Sequence, residues 1–333
     1  MTKLYPLLFE PVIKDYVWGG RNLIKFGRRL PESGPAAESW EIASHEDGMT
    51  VVANGKFAGM TLQQLFELHG ENLVGHHCQW ALKRGKFPLL VKLLDAEERL
   101  SVQVHPSDSY ALKHEGDELG KTEMWVVLDA EPGAAIVYGL SEKTSPGVFR
   151  DAINAGTVDS LLNKIIIKAG DHVCVPSGTL HAILGGAIIA EIQQNSNTTY
   201  RVYDWDRVGT GGQPRALHID KAMDVINFDQ IRFELPKSLL IEKFSGYTCE
   251  RLCQNDYFTT DRYWMGADSR YSGLCDGKTL EIWGVIEGKA TIAGLSLSSV
   301  QFVLLPANLG PFDINVSERA VLLRTFISSP IDD

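Results

Sequence analysis

The sequence predicts a mainly β protein of sandwich or barrel type, to which a few short helices are added. Three observations predict it. Short alternating or apolar runs recur along the whole chain. Glycine and proline turns separate them at regular intervals, as in stacked or closed sheets. Helical periodicity appears only in brief stretches.

Taken in order, residues 1–60 read as strands and irregular chain, with β segments around an Asp47-Gly48 turn and an Asn54-Gly55 turn. At Thr61 the pattern changes. Leu62, Leu65, Phe66 and Leu68 mark one face of a short helix with Thr61 as its N-cap, and a second helix follows over His76–Leu82. FPLLVKLLDAEERLSVQVHPSD reads as two strands joined by an acidic turn. A polar loop from His114 to Lys121 leads into more β chain, EMWVVLDAEPGAAIVYGL. Residues 141–163 hold one or two short helices. KIIIKAGDHVCVPSGTLHAILGGAIIAEIQQNSN is β again, LHIDKAMDVINF is a helix, and strands and turns fill the rest. A boundary near 232–240 gives two domains, 1–237 and 238–333, with a helical insertion at about 61–85 in the first.

Composition narrows the function. With 44% hydrophobic and 22% charged residues among 333, the chain has the makings of sizeable cores. A net charge of −10 argues against nucleic acid as a main partner, while leaving room for a locally basic pocket that takes a small anion. The sequence has no run of 18 apolar residues, so no membrane partner is expected. The N-terminal stretch is too polar for a signal peptide. Five cysteines with no CxxC spacing read as small buried residues of a reducing compartment, and a cytoplasmic protein is expected.

SVQVHPSD carries the first chemical signal. Val102 and Val104 alternate with Gln103 and His105, so an amide and an imidazole face one way just before Pro106 ends the strand. Solvent exposure, a local hydrogen-bonded pair and a shared metal all account for that pattern. The second signal is the spacing from Gly170 through Pro176 and Gly178 to His181, G-x5-P-x-G-x2-H: a strand, a tight turn, then an inward histidine. A core histidine is the plain alternative. VQFVLLPANLGPF, in the second domain, repeats the layout without any histidine.

The second spacing resembles the second motif of the cupin barrels, a jelly-roll family. That likeness implies two cupin-type jelly-roll barrels with a small helical insertion, the second degenerate and lacking a metal site. It also implies a ligand set drawn from several strands: Gln103, His105, Glu123 and His181. SVQVHPSD, GKTEMW, VPSGTLHAI and QNSNTTYRVYDWDR, in that order, further resemble the type I mannose-6-phosphate isomerases in their shorter bacterial form. The resemblance implies an aldose–ketose isomerase that interconverts mannose 6-phosphate and fructose 6-phosphate through an enediol with one zinc ion, bound by those four residues. It places Arg201, Glu191 and Lys121 in catalysis, and Ser101, Lys92 and Arg207 around a small-molecule sugar phosphate. Asn197 stands where aspartate is common. The expected assembly is a monomer or homodimer. Two other functions remain open on sequence: an oxygen-using cupin with iron, and a carbohydrate-binding cupin in which metal is structural.

Overall fold

A computed structural model describes residues 3–208 and 212–328. By compactness the chain forms two units, each built from separated segments. One unit comprises Ile13–Ser39 and Val91–Pro236; the other comprises the residues up to Val12, Trp40–Leu90 and the chain from Lys237 onward. The fold is mainly β, as expected.

In the unit of Ile13–Ser39 and Val91–Pro236, a five-stranded antiparallel sheet has the order Leu162–Ile166, Ala135–Leu140, His181–Ile183, Val102–Val104, Tyr200–Tyr203. A second sheet orders His172–Val175, Glu123–Ala130, Ala187–Gln194 and, from Val91 onward, strand Leu89–Ala96. Period-two alternation sends side chains to opposite faces. On the five-stranded sheet, Val102, Val104, Val137, Ala182, Tyr200 and Val202 pack on one face with Phe149, Ile153 and Ala222, contributed by helices Pro146–Asn154 and Ile219–Val225. The other face sends Ile136, Tyr138 and Ile183 into a second core with Leu94, Trp125, Val127, Val173 and Ile189 of the second sheet. Gln103, His181 and Arg201 alternate with the helix-facing residues and so point to this interior.

The second unit holds a six-stranded sheet (Leu239–Phe244, Tyr247–Gln254, Thr259–Met265, Ala320–Phe326, Glu281–Glu287, Gln301–Leu305). It also holds a four-stranded one (Ser269–Cys275, Gly310–Val316, Lys289–Ile292, Leu295–Ser298). Trp283, Tyr263, Phe312, Val303 and Leu322 lie in its core. Its helix Leu62–His69 starts at Thr61, whose hydroxyl accepts from Gln64 N while the Gln64 side chain accepts from Thr61 N, a reciprocal cap. Helix Gln79–Arg84 follows a 3-10 turn at His76–Cys78.

Both expected turns form: Asp47-Gly48 in a hairpin that pairs Ser44 with Met49 and His45 with Gly48, and Asn54-Gly55 at the start of a 3-10 turn, Gly55–Phe57, with Val51 and Thr61 bridged antiparallel across it. Part of the stretch after Pro106 is a helix, Asp108–His114, capped by the Ser107 hydroxyl. Of the five cysteines, Cys78, Cys249 and Cys275 are buried free thiols, while Cys174 and Cys253 are disulfide-bonded, which departs from the expectation of five reduced thiols. Among the described residues no helix is long and apolar enough to cross a membrane.

Candidate active site

Strand register builds the site. Gln103 lies opposite His181 on one side and Arg201 on the other, so three strands place these residues in one row. On the facing sheet Glu123 pairs with Gln193, and Trp125 with Glu191. His105 follows the end of strand Val102–Val104, and its carbonyl accepts from Gly178 N (2.9 Å). That bond joins the two histidine-bearing segments.

His105, Glu123 and His181 are buried, and each offers one ligand atom within 4.8 Å of the others. The outer nitrogen of each imidazole is committed: His105 Nδ1 donates to Thr198 O (2.8 Å) and His181 Nδ1 to Thr179 O (2.9 Å). The Nε2 lone pairs therefore point inward, the tautomer a metal needs. Burial, then the Lys121 ammonium, pushes His105 down to about 3, and burial also lowers His181. Both rings are neutral at ordinary pH. Burial opposes ionisation of Glu123, but Lys121, His105 and His181 together outweigh it and hold the carboxyl well below its usual range. Glu123 Oε1 is buried with no hydrogen-bond donor. A carboxylate oxygen without a donor beside two inward lone pairs fits a divalent cation.

The other expected residues fall around this cluster. Gln103 Nε2 is 3.3 Å from His181 Nε2, and its Oε1 accepts from Ser101 Oγ (3.3 Å). The amide thus borders the cluster, and exchanging its O and N turns an oxygen toward it. Lys121 Nζ bridges His105 Nε2 (3.1 Å) and Glu123 Oε2, and stands 3.7 Å from Glu191. Glu191 accepts from Trp125 Nε1 (2.9 Å) and faces Lys92 at 3.6 Å. Burial, then the Glu123 charge, raises its pKa. Burial works to lower the Lys92 pKa, but Glu38 and Glu191 outweigh it.

A cavity of about 290 Å³ opens beside the cluster, at the small end of the ligand-pocket range. Ser101, Gln103, Lys92, Lys121, Glu191 and Arg201 all line it. Arg207 does not: its guanidinium turns to Asp204 (3.1 Å) and to Arg99 O (2.5 Å). Arg215 lines the cavity in its place, together with Glu38, Tyr16 and Asn197. Sequence reasoning missed Glu38 and Arg215, and no motif marks either. Arg215 lies fourteen residues past Arg201, beyond the end of its strand. Trp18 borders the cavity and also packs in the core, while Trp40 packs with Ala43 and Leu90.

The chain is 39% identical over 317 residues to the probable mannose-6-phosphate isomerase GmuF of Bacillus subtilis, covering 93% of this chain and 96% of that protein. It belongs to the mannose-6-phosphate isomerase family. The family model for the catalytic domain of type I phosphomannose isomerase matches residues 7–126. The mannose-6-phosphate isomerase of Streptococcus mutans is 44% identical over 259 residues, 78% of each chain. The crystal structure of the Bacillus subtilis mannose 6-phosphate isomerase superposes with a TM-score of 0.86 at 35% identity, covering 97% of this chain and 99% of that one. The isomerase resemblance read from four sequence motifs is thus also a whole-chain one, and the mainly β fold matches that of the Bacillus subtilis enzyme.

Proposed function

We propose that this protein is a zinc-dependent mannose-6-phosphate isomerase, interconverting mannose 6-phosphate and fructose 6-phosphate through an enediol. The observation that carries the reading is a buried His–Glu–His cluster whose neighbours Gln103 and Lys121 line a cavity walled by two guanidinium groups. His105, Glu123 and His181 hold the metal, with Gln103 as fourth ligand; two imidazoles and a carboxylate suit zinc. Bound zinc supplies Lewis-acid stabilisation of oxygen charge beside the reacting carbons.

The chain's own residues do the rest. Isomerisation moves a proton between C1 and C2, which requires a base at those carbons and a cation near the developing oxyanion. Arg201 supplies that cation from its place next to Gln103. Its Nε is buried without a hydrogen-bond partner, while one terminal nitrogen donates to Ala216 O (3.1 Å). Glu191 and Lys121 are the proton-handling candidates. Burial favours a neutral Glu191, and Lys121 reaches both Glu123 and Glu191. Ser101 and Lys92 border the sugar phosphate, and the cationic wall offsets its charge within an acidic protein. The arginines favour this reading over the oxygen-using one, because an apolar substrate has no use for them.

The test is conversion of mannose 6-phosphate to fructose 6-phosphate by purified protein, as isolated, after chelation, and after zinc is restored. Turnover lost on chelation and regained with zinc is expected. No turnover by the zinc-loaded protein overturns the assignment.

A further inference from the structure

The backbone just after strand Tyr200–Tyr203 is unusual. Trp205 and Asp206 both have positive φ, 58° and 53°. Two consecutive side-chain-bearing residues rarely share the left-handed region, which strains the chain and persists only where surrounding contacts enforce it. Here they do. Trp205 Nε1 donates to Leu100 O (2.7 Å), and the Arg99 guanidinium lies 5.0 Å from the indole centroid. Arg207 N closes the turn on Asp204 O (3.0 Å).

This pinned turn fixes Asp204. Its buried carboxylate accepts two bonds from Arg215, from Nε at 2.8 Å and from a terminal nitrogen at 2.6 Å, and one from Arg207 at 3.1 Å. A two-point grip sets the plane of a guanidinium as well as its position. Arg215 then stands in the cavity wall beside Arg201. Two guanidinium groups repel, and the grip on one of them opposes that repulsion.

We propose that Asp204 is a positioning residue: it holds Arg215 in the cavity wall, and so sets the preference for a phosphorylated over an unphosphorylated sugar. The inference rests on the cavity being a sugar-phosphate site. Asp204 touches no substrate and acts only through Arg215.

The test uses zinc-loaded wild type, Asp204→Asn, Arg215→Lys, Arg215→Ala and the double variant Asp204→Asn/Arg215→Ala. Steady-state rates are measured on mannose 6-phosphate and on unphosphorylated mannose, and inorganic phosphate is the competitive probe. Asp204→Asn is expected to raise KM for mannose 6-phosphate by about ten-fold with kcat within about two-fold, and to weaken phosphate inhibition to match. Its kcat/KM on mannose stays at the wild-type value. Arg215→Lys keeps the charge but loses the two-point grip, so it should behave alike; it serves if Asp204→Asn does not fold. The double variant should be no worse than Arg215→Ala. Unchanged KM and phosphate inhibition in Asp204→Asn, equal losses on both sugars, or additive losses in the double variant overturn the proposal. If wild type turns over neither sugar, the isomerase reading fails instead. Calorimetric binding of inorganic phosphate to the same variants then still decides whether Asp204 supports the anion site.

Discussion

Arg201 and His181 share one row of the sheet with Gln103 between them, yet their loss should look different. Arg201→Ala removes a cation from the cavity wall but no metal donor. Its kcat is expected to fall by about 10²–10³-fold with zinc content unchanged. Full activity in that variant takes Arg201 out of the chemistry. His181→Ala removes an inward lone pair, so metal analysis of the purified variant should show zinc lost. Wild-type zinc content breaks the ligand assignment. That Gln103, His105 and His181 come together was legible because they sit at strand ends beside turns, where spacing is rigid: Gln103 and His105 before Pro106, His181 after Gly178. Arg215 was not legible. A guanidinium reaches far, so its residue number is loosely constrained, and only the folded chain separates Arg207, turned toward Asp204 and Arg99, from Arg215 in the wall.

Turns and caps set the elements that present these groups. Gly178 has φ +84°, and a Cβ there would meet Val225 O at 2.9 Å. Gly178→Ala is therefore expected to cost about 1–3 kcal/mol, read as a lower urea midpoint with unchanged slope, and to loosen the His105–His181 connection. A midpoint equal to wild type removes that strain argument. In the other unit, Thr61→Ala breaks a reciprocal cap and should cost about 1 kcal/mol. That cap was readable, since Thr61 precedes a 3.6-residue apolar pattern. The alternation of Val102, Gln103 and Val104 was readable as well, and packing explains it: the valines meet helices, the glutamine meets the interior. Helix Asp108–His114 leaves no periodic signal, because it has only seven residues and a single fully buried one, Ala111. The Asn54-Gly55 turn was readable too, while its 3-10 form rests on a distant residue. The Tyr5 hydroxyl donates to Asn54 O (2.9 Å) and accepts from Phe57 N (2.8 Å), which ties both ends of the 3-10 turn to one side chain.

At the scale of the molecule, binding of the proposed metal is expected to raise stability. A ligand that binds only the folded state at a thousand-fold excess over its Kd adds about 4 kcal/mol. Thermal melts should therefore shift upward with zinc and downward with chelator, and His181→Ala should lose the difference. An equal shift in that variant points to zinc bound elsewhere. Composition and turn spacing made the mainly β class legible, because both report on strands locally. The grouping of segments into units was not, because it depends on contacts between residues far apart in the chain. That grouping has a consequence for synthesis. The unit that carries the cavity has all its residues once Pro236 has been made. The first dozen residues and Trp40–Leu90, although translated early, belong with chain that begins only at Lys237. On the ribosome, the cavity-bearing unit has its full complement first, while earlier-made segments of the other unit wait for chain beyond Pro236.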